Sequence, residues 1–428
     1  MSRSVRTSDG TSIRVQRLLG TGGQGEVWLA DMAGSPVAIK LYHRHIATPA
    51  QRAVIERLIE KGPPSKHFLW PKALVNDRAS SAYGYVMDLR EKRFHSLEDF
   101  MARRIEPGFR ALLTAAWQLA DAFLRLHSQG WCYRDISFGN VFFDPSNGDV
   151  RICDNDNVDI AETGSGGILG TPRFMAPEVV RREAVPSDQT DRYSLAVLLF
   201  YMLMGGHPLD GEREAKIRCL DVPALEKLYG FEPVYIFDPT NKSNKPVPGV
   251  HENPIAFYPI YPSEIHELFL RSFTDGLRYP AKRVRESEWR KAFARAIDSV
   301  FPCGCRADNF FNPAKVQAQS AGACWACKRA LPLPLRIRFE KGDVVLTRDT
   351  RLCGRHVGNP QDDEEVIAEV TQNPTNPALF GLRNQGSTGV WTFTRADGSI
   401  VDVPPGKSVP IVVGNKINFG QVTGEICA

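Results

Sequence analysis

The strongest constraint on the fold is a series of short motifs that follow one another in a fixed order. LGTGGQGEV (19–27) comes first, and VAIK (37–40) follows it. RDISFGN (134–140) and Asp154 come later, within WCYRDISFGNVFFDPSNGDVRICDNDNV (131–158). Any one of these motifs could arise by chance. The ordered set at these separations is hard to explain that way, so it restricts the chain to folds that bring these segments together.

The first motif is a glycine-rich turn between two predicted strands. Gly20, Gly22 and Gly25 have G-x-G-x-x-G-x-V spacing. Glycines let backbone N–H groups approach phosphates without obstruction by side chains. Alone, the motif fits a plain glycine-rich hairpin equally well, so its interpretation depends on the motifs C-terminal to it.

Lys40 ends a predicted third strand. A lysine there can pair with nucleotide phosphates and with a glutamate on the next helix. The predicted helix over 49–61 carries Glu56 and Glu60 one turn apart on the same face. The distance to the following strand favours Glu56, and Glu60 is the alternative.

The periodicity of apolar residues along the chain predicts an α+β domain that is followed by β-rich sequence. Strands are predicted within 11–40 and 68–89, and helices over 49–61, 107–128, 191–204 and 286–301. A Pro-, Asn- and Tyr-rich stretch, 222–263, is predicted to be a long ordered insertion. After 336, alternating apolar and polar residues broken by Gly, Pro and Asn are typical of an antiparallel β-sandwich.

The ordered motifs resemble those of the eukaryotic-like protein kinases, from about Ser12 to Phe301. GTPRFMAPE (170–178) resembles the end of an activation segment, and DRYSLAVLLFYMLMGGHP (191–208) the central buried helix of the large lobe, with Asp191 as its anchoring acid. Arg283 matches the arginine that pairs with the segment glutamate, here Glu178. The resemblance implies a two-lobed kinase fold over 1–301, with a small lobe over about 1–88, a large lobe over about 89–301, and ATP in the cleft.

The resemblance also implies roles for individual residues. Asp135 would accept or orient the substrate hydroxyl proton, and Asn140 and Asp154 would hold Mg²⁺ or Mn²⁺. Lys40, with Glu56 as partner, would position the phosphates. The implied ATP-binding residues are Leu19, Gly20, Gly22, Gly25, Val27, Ala38, Lys40, Met87 (the gatekeeper position), Asp88, Leu89 and Phe142.

Two departures from the family pattern leave the activity open. Ser137 stands where serine/threonine kinases carry a lysine, and Asp154-Asn155-Asp156 replaces Asp-Phe-Gly. An asparagine is not expected to fill the place of the phenylalanine well, and Asp156 is either a further metal ligand or a solvated acid. The complete Lys-Asp-Asn-Asp set favours an active serine/threonine kinase over a pseudokinase scaffold that binds nucleotide and partners without turnover. The Ala-Pro-Glu segment argues against a small-molecule kinase.

The activation segment offers candidate regulatory residues. Thr171 matches the threonine that touches the catalytic aspartate in serine/threonine kinases. Because Arg134 precedes Asp135, phosphorylation of the segment is a possible control, with Thr163 and Ser165 as candidate sites. The alternative is an exposed loop with ordinary hydroxyls.

Part of the insertion, KLYGFEPVYIFDPTNKSNKPVPGVHENPI (227–255), resembles bacterial kinases encoded beside a metal-dependent protein phosphatase and a von Willebrand factor A protein, sometimes near tellurite-resistance genes. The Asp-x-Asp form after the catalytic loop also resembles that group. This resemblance implies a bacterial kinase that autophosphorylates and signals with those two partners.

Four of the nine cysteines form two close pairs. Cys303 and Cys305 form C-x-C, and Cys324 and Cys327 form C-x-x-C. Two thiolate pairs joined by a short hairpin predict a structural zinc module over 302–335, in which the metal supplies the folding energy. Packing cysteines or a redox C-x-x-C pair are the alternatives.

The segment 336–428 is predicted to be a β-sandwich that resembles the forkhead-associated domain, on Gly354-Arg355, LRNQGSTG and VGNKINFG. The Ser-x-x-His pattern expected after Gly-Arg is missing. A docking or scaffold role is therefore favoured over phosphothreonine binding.

Charge and composition bound the remaining possibilities. A net charge of +4 gives no reason to expect nucleic acid or a membrane surface as partner. The N-terminal residues lack the apolar core of a signal peptide, and the longest apolar run, 195–204, is too short to span a bilayer. We therefore expect a cytoplasmic protein with reduced thiols.

Overall fold

The computed structural model describes residues 4–77, 83–160, 170–316, 320–358, 364–377 and 379–428. The chain divides into two compact units, Met1–Phe293 and Ala294–Ala428. The predicted segments 302–335 and 336–428 therefore fall within one unit.

The first unit begins with an antiparallel sheet that closes into a barrel in the order β1-β2-β3-β4-β6-β5. Its strands are β1 (Ser4–Thr7), β2 (Ser12–Thr21), β3 (Gly25–Met32), β4 (Ser35–Tyr42), β5 (Ala73–Asn76) and β6 (Tyr83–Asp88). Alternate residues such as Val37 and Ile39 fill its core. Helix α1 (Pro49–Lys61) follows β4 and begins where the Thr48 side chain accepts a hydrogen bond from the Gln51 amide.

The rest of the first unit is mainly helical. Its helices are α2 (Leu97–Met101), α3 (Phe109–Ser128), α4 (Pro177–Val180), α5 (Asp188–Met204), α6 (Glu212–Ala215), α7 (Val222–Glu226), α8 (Glu252–Phe257), α9 (Ser263–Ser272), α10 (Asp275–Arg278) and α11 (Glu286–Ser299), the last of which continues into the second unit. Helix α5 begins three residues before the predicted start because Ser187 and Thr190 form a capping box. Nearly all of α5 is buried, as its apolar sequence predicts.

Short strands hold the loops between these helices. They are β7 (His95–Ser96), β8 (Trp131–Cys132), β9 (Val141–Phe143), β10 (Val150–Ile152) and β11 (Asp159–Ile160). Strand β9 pairs with β7 and β10, and β8 pairs with β11. Because β8 and β9 flank the RDISFGN motif, and β10 precedes Asp154, the pairings fix both ends of the predicted catalytic loop.

The second unit contains two short hairpins and two larger sheets. The predicted helix over 286–301 ends at Ser299, because β12 (Val300–Pro302) pairs with β13 (Asp308–Phe310). The remaining strands are β14 (Ser320–Ala323), β15 (Ala330–Pro332), β16 (Arg336–Phe339), β17 (Gly342–Val345), β18 (Arg351–Cys353), β19 (Val366–Gln372), β20 (Phe380–Asn384), β21 (Trp391–Thr394), β22 (Ile400–Val403), β23 (Ser408–Pro410), β24 (Lys416–Asn418) and β25 (Thr423–Cys427).

The two larger sheets are antiparallel and share one apolar core. Their orders are β17-β16-β25-β24-β21-β22 and β18-β19-β20-β23. Buried residues from both sheets, including Ile337, Leu382 and Trp391, belong to the same cluster. This is the sandwich that the alternating sequence predicts. Among the described residues, no helix has the length and apolar character needed to cross a bilayer.

Candidate active site

The glycine-rich turn lies beside the lysine strand. In the barrel, Gly20 pairs with Val27, and Val27 pairs with Lys40. A Cβ on Gly25 would stand 2.2 Å from the Leu41 carbonyl oxygen, closer than backbone atoms tolerate. Glycine is therefore required at Gly25 by the packing of β3 on β4.

The predicted adenine-contacting residues come from neighbouring strands. Ala38 pairs with Met87 across β4 and β6, and both are buried. Leu19 and Val27 on the adjoining strands are partly exposed, and Asp88 and Leu89 end β6 and begin the next connection. Phe142 lies on β9, with the Arg90 guanidinium 3.9 Å from its ring centroid. These positions are compatible with an apolar slot at the end of the barrel.

Asp135 is oriented by two side chains that the sequence places in its site. The Thr171 hydroxyl donates to Asp135 Oδ1 at 2.8 Å. Asn140 Nδ2 donates to Asp135 Oδ2 at 3.1 Å and to the Asp135 carbonyl at 2.8 Å. Because the amide nitrogen of Asn140 is used in this way, its oxygen is the atom left for a cation.

Asp154 supplies the second oxygen donor. Its backbone is left-handed (φ 49°), a conformation that aspartate tolerates better than most residues. Its side chain is 43% exposed, and one carboxylate oxygen lies 3.4 Å from Lys40 Nζ. An amide oxygen and an accessible carboxylate fit the donor preference of Mg²⁺.

The predicted partner of Lys40 is wrong in this structure. Glu56 is exposed and accepts a hydrogen bond from Arg52 at 3.1 Å, and Glu60 is exposed too. Lys40 Nζ instead lies 2.9 Å from the Asp156 carboxylate. The reason is that α1 turns Ile55 and Leu58 into the core, which leaves its acidic residues facing solvent.

Asp156 is not the solvated acid that the sequence allowed as one alternative. Its side chain is completely buried, and both of its oxygens accept hydrogen bonds. Tyr42 donates to Oδ2 at 2.6 Å and Tyr85 to Oδ1 at 3.2 Å. The sequence carried a signal for Tyr42, which is two residues from Lys40 and therefore on the same strand face. It carried none for Tyr85, which reaches the site because it pairs with Lys40 across β4 and β6.

The electrostatic result is a firmly charged lysine. Burial acts to lower the pKa of Lys40, but the carboxylates of Asp156 and Asp154 outweigh it and hold the pKa above its ordinary value. The glycine-rich turn joins the same network, because Lys40 Nζ donates to Gln24 Oε1 at 2.9 Å. Gln24 in turn donates to Asn157 Oδ1 at 2.8 Å.

Asn155 is buried and only half satisfied at its position, because its side-chain oxygen has no hydrogen-bond partner among the described residues. Its side-chain nitrogen donates to the Leu69 carbonyl at 2.9 Å and to the Ile152 carbonyl at 3.0 Å. Hydrogen bonds to backbone thus replace the apolar packing of a phenylalanine, and they fix the turn that carries Asp154 and Asp156.

The start of the catalytic loop is braced by a buried acid. Asp191 accepts hydrogen bonds from the backbone amides of Tyr133 (2.5 Å) and Arg134 (2.9 Å). His127, which belongs to none of the sequence motifs, bridges Asp191 at 3.0 Å and Glu286 at 2.6 Å. The Tyr133 hydroxyl donates to the Cys153 carbonyl, which ties the loop to the residue before Asp154.

The activation segment is described only at its two ends. Arg134 lies 3.0 Å from Asp159, and Arg57 of α1 lies 3.6 Å from the same carboxylate. At the other end, Arg283 donates two hydrogen bonds of 2.8 Å to Glu178, the pairing expected from the sequence. Thr163 and Ser165 lie outside the described residues.

The four clustered cysteines converge in the second unit. Their sulfur atoms all lie within 4.8 Å of one another, with Cys303–Cys327 and Cys305–Cys324 both at 3.7 Å. A tetrahedral zinc with Zn–S bonds of about 2.3 Å separates its sulfurs by about 3.8 Å, whereas a disulfide requires about 2.0 Å. The sulfur separations are therefore compatible with a four-thiolate site for one zinc ion.

Donors around the sulfurs support thiolate charge. Arg329 Nε lies 3.4 Å from the Cys327 sulfur, and Asn309 Nδ2 lies 3.6 Å from that of Cys324. The cluster also includes Phe301, Phe311 and Leu331, so the cysteine pairs are set in a small apolar core.

Comparison with known proteins agrees with this geometry. The family model described as protein kinase domain matches residues 13–267, more than half of the 428-residue chain. The chain is 29% identical over 220 residues to serine/threonine-protein kinase PkaB of Streptomyces coelicolor, covering 47% of this chain and 51% of that protein. Over 227 residues it is 29% identical to PknA of Mycobacterium tuberculosis (50% and 51%), and over 210 residues 30% identical to pkn2 of Myxococcus xanthus (46% and 25%). The chain thus spans about half or less of the length of these relatives.

Proposed function

The chain belongs to the protein kinase family, and we propose that it transfers the γ-phosphate of ATP to serine or threonine hydroxyls of protein substrates, itself included. The observation that carries this proposal is the orientation of Asp135 by Thr171 and Asn140. The separation of 3.4 Å between Lys40 and Asp154 supports it, since phosphoryl transfer in this family uses all four of the groups Lys40, Asp135, Asn140 and Asp154.

Each of these residues has a separate role that follows from the chemistry of its side chain. Asp135 Oδ2 and Oδ1 are held by Asn140 and Thr171, so the carboxylate is set to orient a substrate hydroxyl and receive its proton. Lys40 offers a fixed positive charge to the phosphates. Asn140 and Asp154 would hold Mg²⁺ or Mn²⁺, which neutralises charge on the phosphates when bound.

The test is transfer of radiolabelled phosphate from ATP, with Mg²⁺ and separately with Mn²⁺, using the full chain. Asp135→Ala and Asp154→Ala would be run beside the wild type. Labelling of the chain or of a generic acceptor that disappears in both variants supports the kinase. Its persistence in either variant contradicts the assigned roles.

The second candidate is a scaffold that binds nucleotide and partners without turnover. Ser137 favours it, because the position that carries a lysine in serine/threonine kinases is here a buried serine. Absence of labelling in the wild type, with nucleotide binding retained in a thermal-shift assay, would support the scaffold.

We also propose that the cysteine cluster binds one structural Zn²⁺. The sulfur separations and the small core around them support this. All four thiolates would be used for coordination, which leaves no open position for catalysis. Elemental analysis of the purified chain that finds no zinc would exclude the proposal.

For the sandwich we propose a docking or scaffold role rather than phosphothreonine binding. Arg355, in the Gly-Arg pair that resembles the forkhead-associated motif, is engaged with Asp298 at 2.7 Å, and His356 lies 3.2 Å from the same carboxylate. An arginine held in this way is less available to a phosphate. Phosphate-dependent capture of phosphothreonine peptides would contradict the proposal.

The partners rest on sequence resemblance alone. The stretch 227–255 supports a metal-dependent protein phosphatase and a von Willebrand factor A protein as partners, acting with this chain in bacterial signalling. We also propose control by phosphorylation of Thr163 or Ser165, on the resemblance of the activation segment and the presence of Arg134 before Asp135, and we propose a cytoplasmic location for the chain.

A further inference from the structure

We propose that Asp156 is the residue that positions Lys40, in place of the glutamate that helix α1 would supply in a protein kinase. The anchor of the phosphate-binding lysine would then be part of the loop that carries Asp154. The inference rests on the proposed function and adds a positioning residue and a mode of regulation to it.

The Asp156 carboxylate has a complete set of compensating partners. It is fully buried and receives hydrogen bonds from Lys40, Tyr42 and Tyr85. A buried carboxylate is tolerated only where charge and hydrogen-bond partners compensate for lost water. Three donors from two strands of the barrel meet that requirement.

Helix α1, which is described over its whole length, offers no acid that faces Lys40. Its acidic residues, Glu56 and Glu60, are exposed. The residue that reaches the Asp156 turn is Gln51, whose side chain donates to the Asp156 carbonyl at 3.2 Å. Ile55 and Leu58 continue this inward face and carry no charge. The helix thus supports the turn but offers no acid to Lys40.

The origin of the acid determines whether the position of α1 can regulate Lys40. In protein kinases the lysine pairs with a helix glutamate, so the position of that helix determines whether the site is complete. Here the acid lies two residues from Asp154 in the chain, so Lys40 and Asp154 are positioned by the same turn. A displacement of α1 would break the Gln51 hydrogen bond to this turn but would take no acid away from Lys40, so anchoring of the lysine would not require an activating movement of the helix.

The test is a double-mutant cycle on the full chain, with kcat and KM for ATP measured by phosphate transfer and Kd for ATP by calorimetry in the presence of Mg²⁺. The variants are Asp156→Asn, Lys40→Ala and the double variant, with Glu56→Gln as the matched control. Asp156→Asn keeps the size of the side chain and removes its charge. We expect kcat/KM to fall at least tenfold in Asp156→Asn and to stay within twofold of wild type in Glu56→Gln.

The cycle separates positioning from a merely structural role. If Asp156 acts through Lys40, the kcat/KM of the double variant should be less than threefold below that of Lys40→Ala, because the group that Asp156 positions is already absent. Full additivity in both kcat/KM and Kd would overturn the proposal, as would a tenfold loss in Glu56→Gln with Asp156→Asn unaffected.

Failure of the proposed function would look different. A wild type that binds ATP but transfers no phosphate would refute the kinase, while coupling of the two residues in Kd would still support the inference. A wild type that transfers phosphate, with an additive cycle, would refute the inference alone.

Discussion

The buried bridge of His127 with Asp191 and Glu286 makes a quantitative prediction about pH. Burial opposes charge on His127, but its hydrogen bonds to Asp191 and Glu286 raise the pKa from 6.5 to about 9. Glu286 responds in the opposite direction, because the bond from His127 outweighs burial and lowers its pKa to about 2. The bridge connects α3, α5 and α11, and through Asp191 it supports the catalytic loop.

The direction in which stability changes with pH follows from the raised pKa of His127. The folded state holds the proton more tightly than the unfolded state, so the stabilisation is complete below about pH 6.5 and is lost as the pH rises through about 9. At 1.4 kcal/mol per pKa unit, this amounts to a loss on the order of 3 kcal/mol. The Glu286 contribution is lost only as the pH falls from 4.5 toward 2, outside this range.

The perturbation is His127→Gln, with His95→Gln as control, since His95 is partly exposed. Urea-dependent hydrogen exchange of the α3 and α5 amides, read by mass spectrometry, reports on the first unit alone. We expect the stability difference between wild type and His127→Gln to shrink by on the order of 3 kcal/mol between about pH 6 and pH 9.5. His95→Gln should follow the wild type throughout. A His127→Gln difference that is constant across this range would refute the reasoning.

Three other substitutions test the barrel, the cysteine cluster and the activation segment. Gly25→Ala should destabilise the barrel by about 1–3 kcal/mol in the same exchange measurement, whereas Gly23→Ala, whose Cβ would meet open space, should change it little; equal effects would show that packing is not what requires Gly25. Cys324→Ser should abolish bound zinc in elemental analysis while Cys219→Ser, at an exposed position outside the cluster, retains one zinc per chain; retained zinc in the former would contradict the four-thiolate site. Asp159→Asn should lower phosphate transfer several-fold by weakening the pairing of Arg134 and Arg57, and unchanged transfer would remove that role.

Sequence reasoning succeeded where a role depends on a local motif. Asp135 and Asn140 lie together as the motif predicts, because β8 and β9 fix a short loop whose geometry is encoded in a few consecutive residues. The two members of each cysteine pair lie close together for the same reason, since they are only two or three residues apart. The sandwich likewise follows from simple alternation of apolar residues.

It failed where the outcome depends on how an element is rotated. Glu56 and Glu60 have suitable spacing from Lys40, yet the apolar residues Ile55 and Leu58 decide which face of α1 is buried, and the acids lie on the other. The sequence suggests only a metal ligand or a solvated acid at Asp156, because the burial of that carboxylate depends on two tyrosines distant from it in the chain, Tyr42 and Tyr85.

The sequence by itself determined the family, the loop that carries Asp135 and Asn140, the cysteine pairs and the alternating strands near the C-terminus, because each is set by motifs of a few neighbouring residues. Only the tertiary structure decided which carboxylate holds Lys40, what Asn155 does in the core, and that His127 joins Asp191 to Glu286. Those contacts join segments far apart in sequence. They form only when the barrel, α1 and the buried helices have packed. Packing determines which polar groups lose contact with water and must therefore form hydrogen bonds with one another.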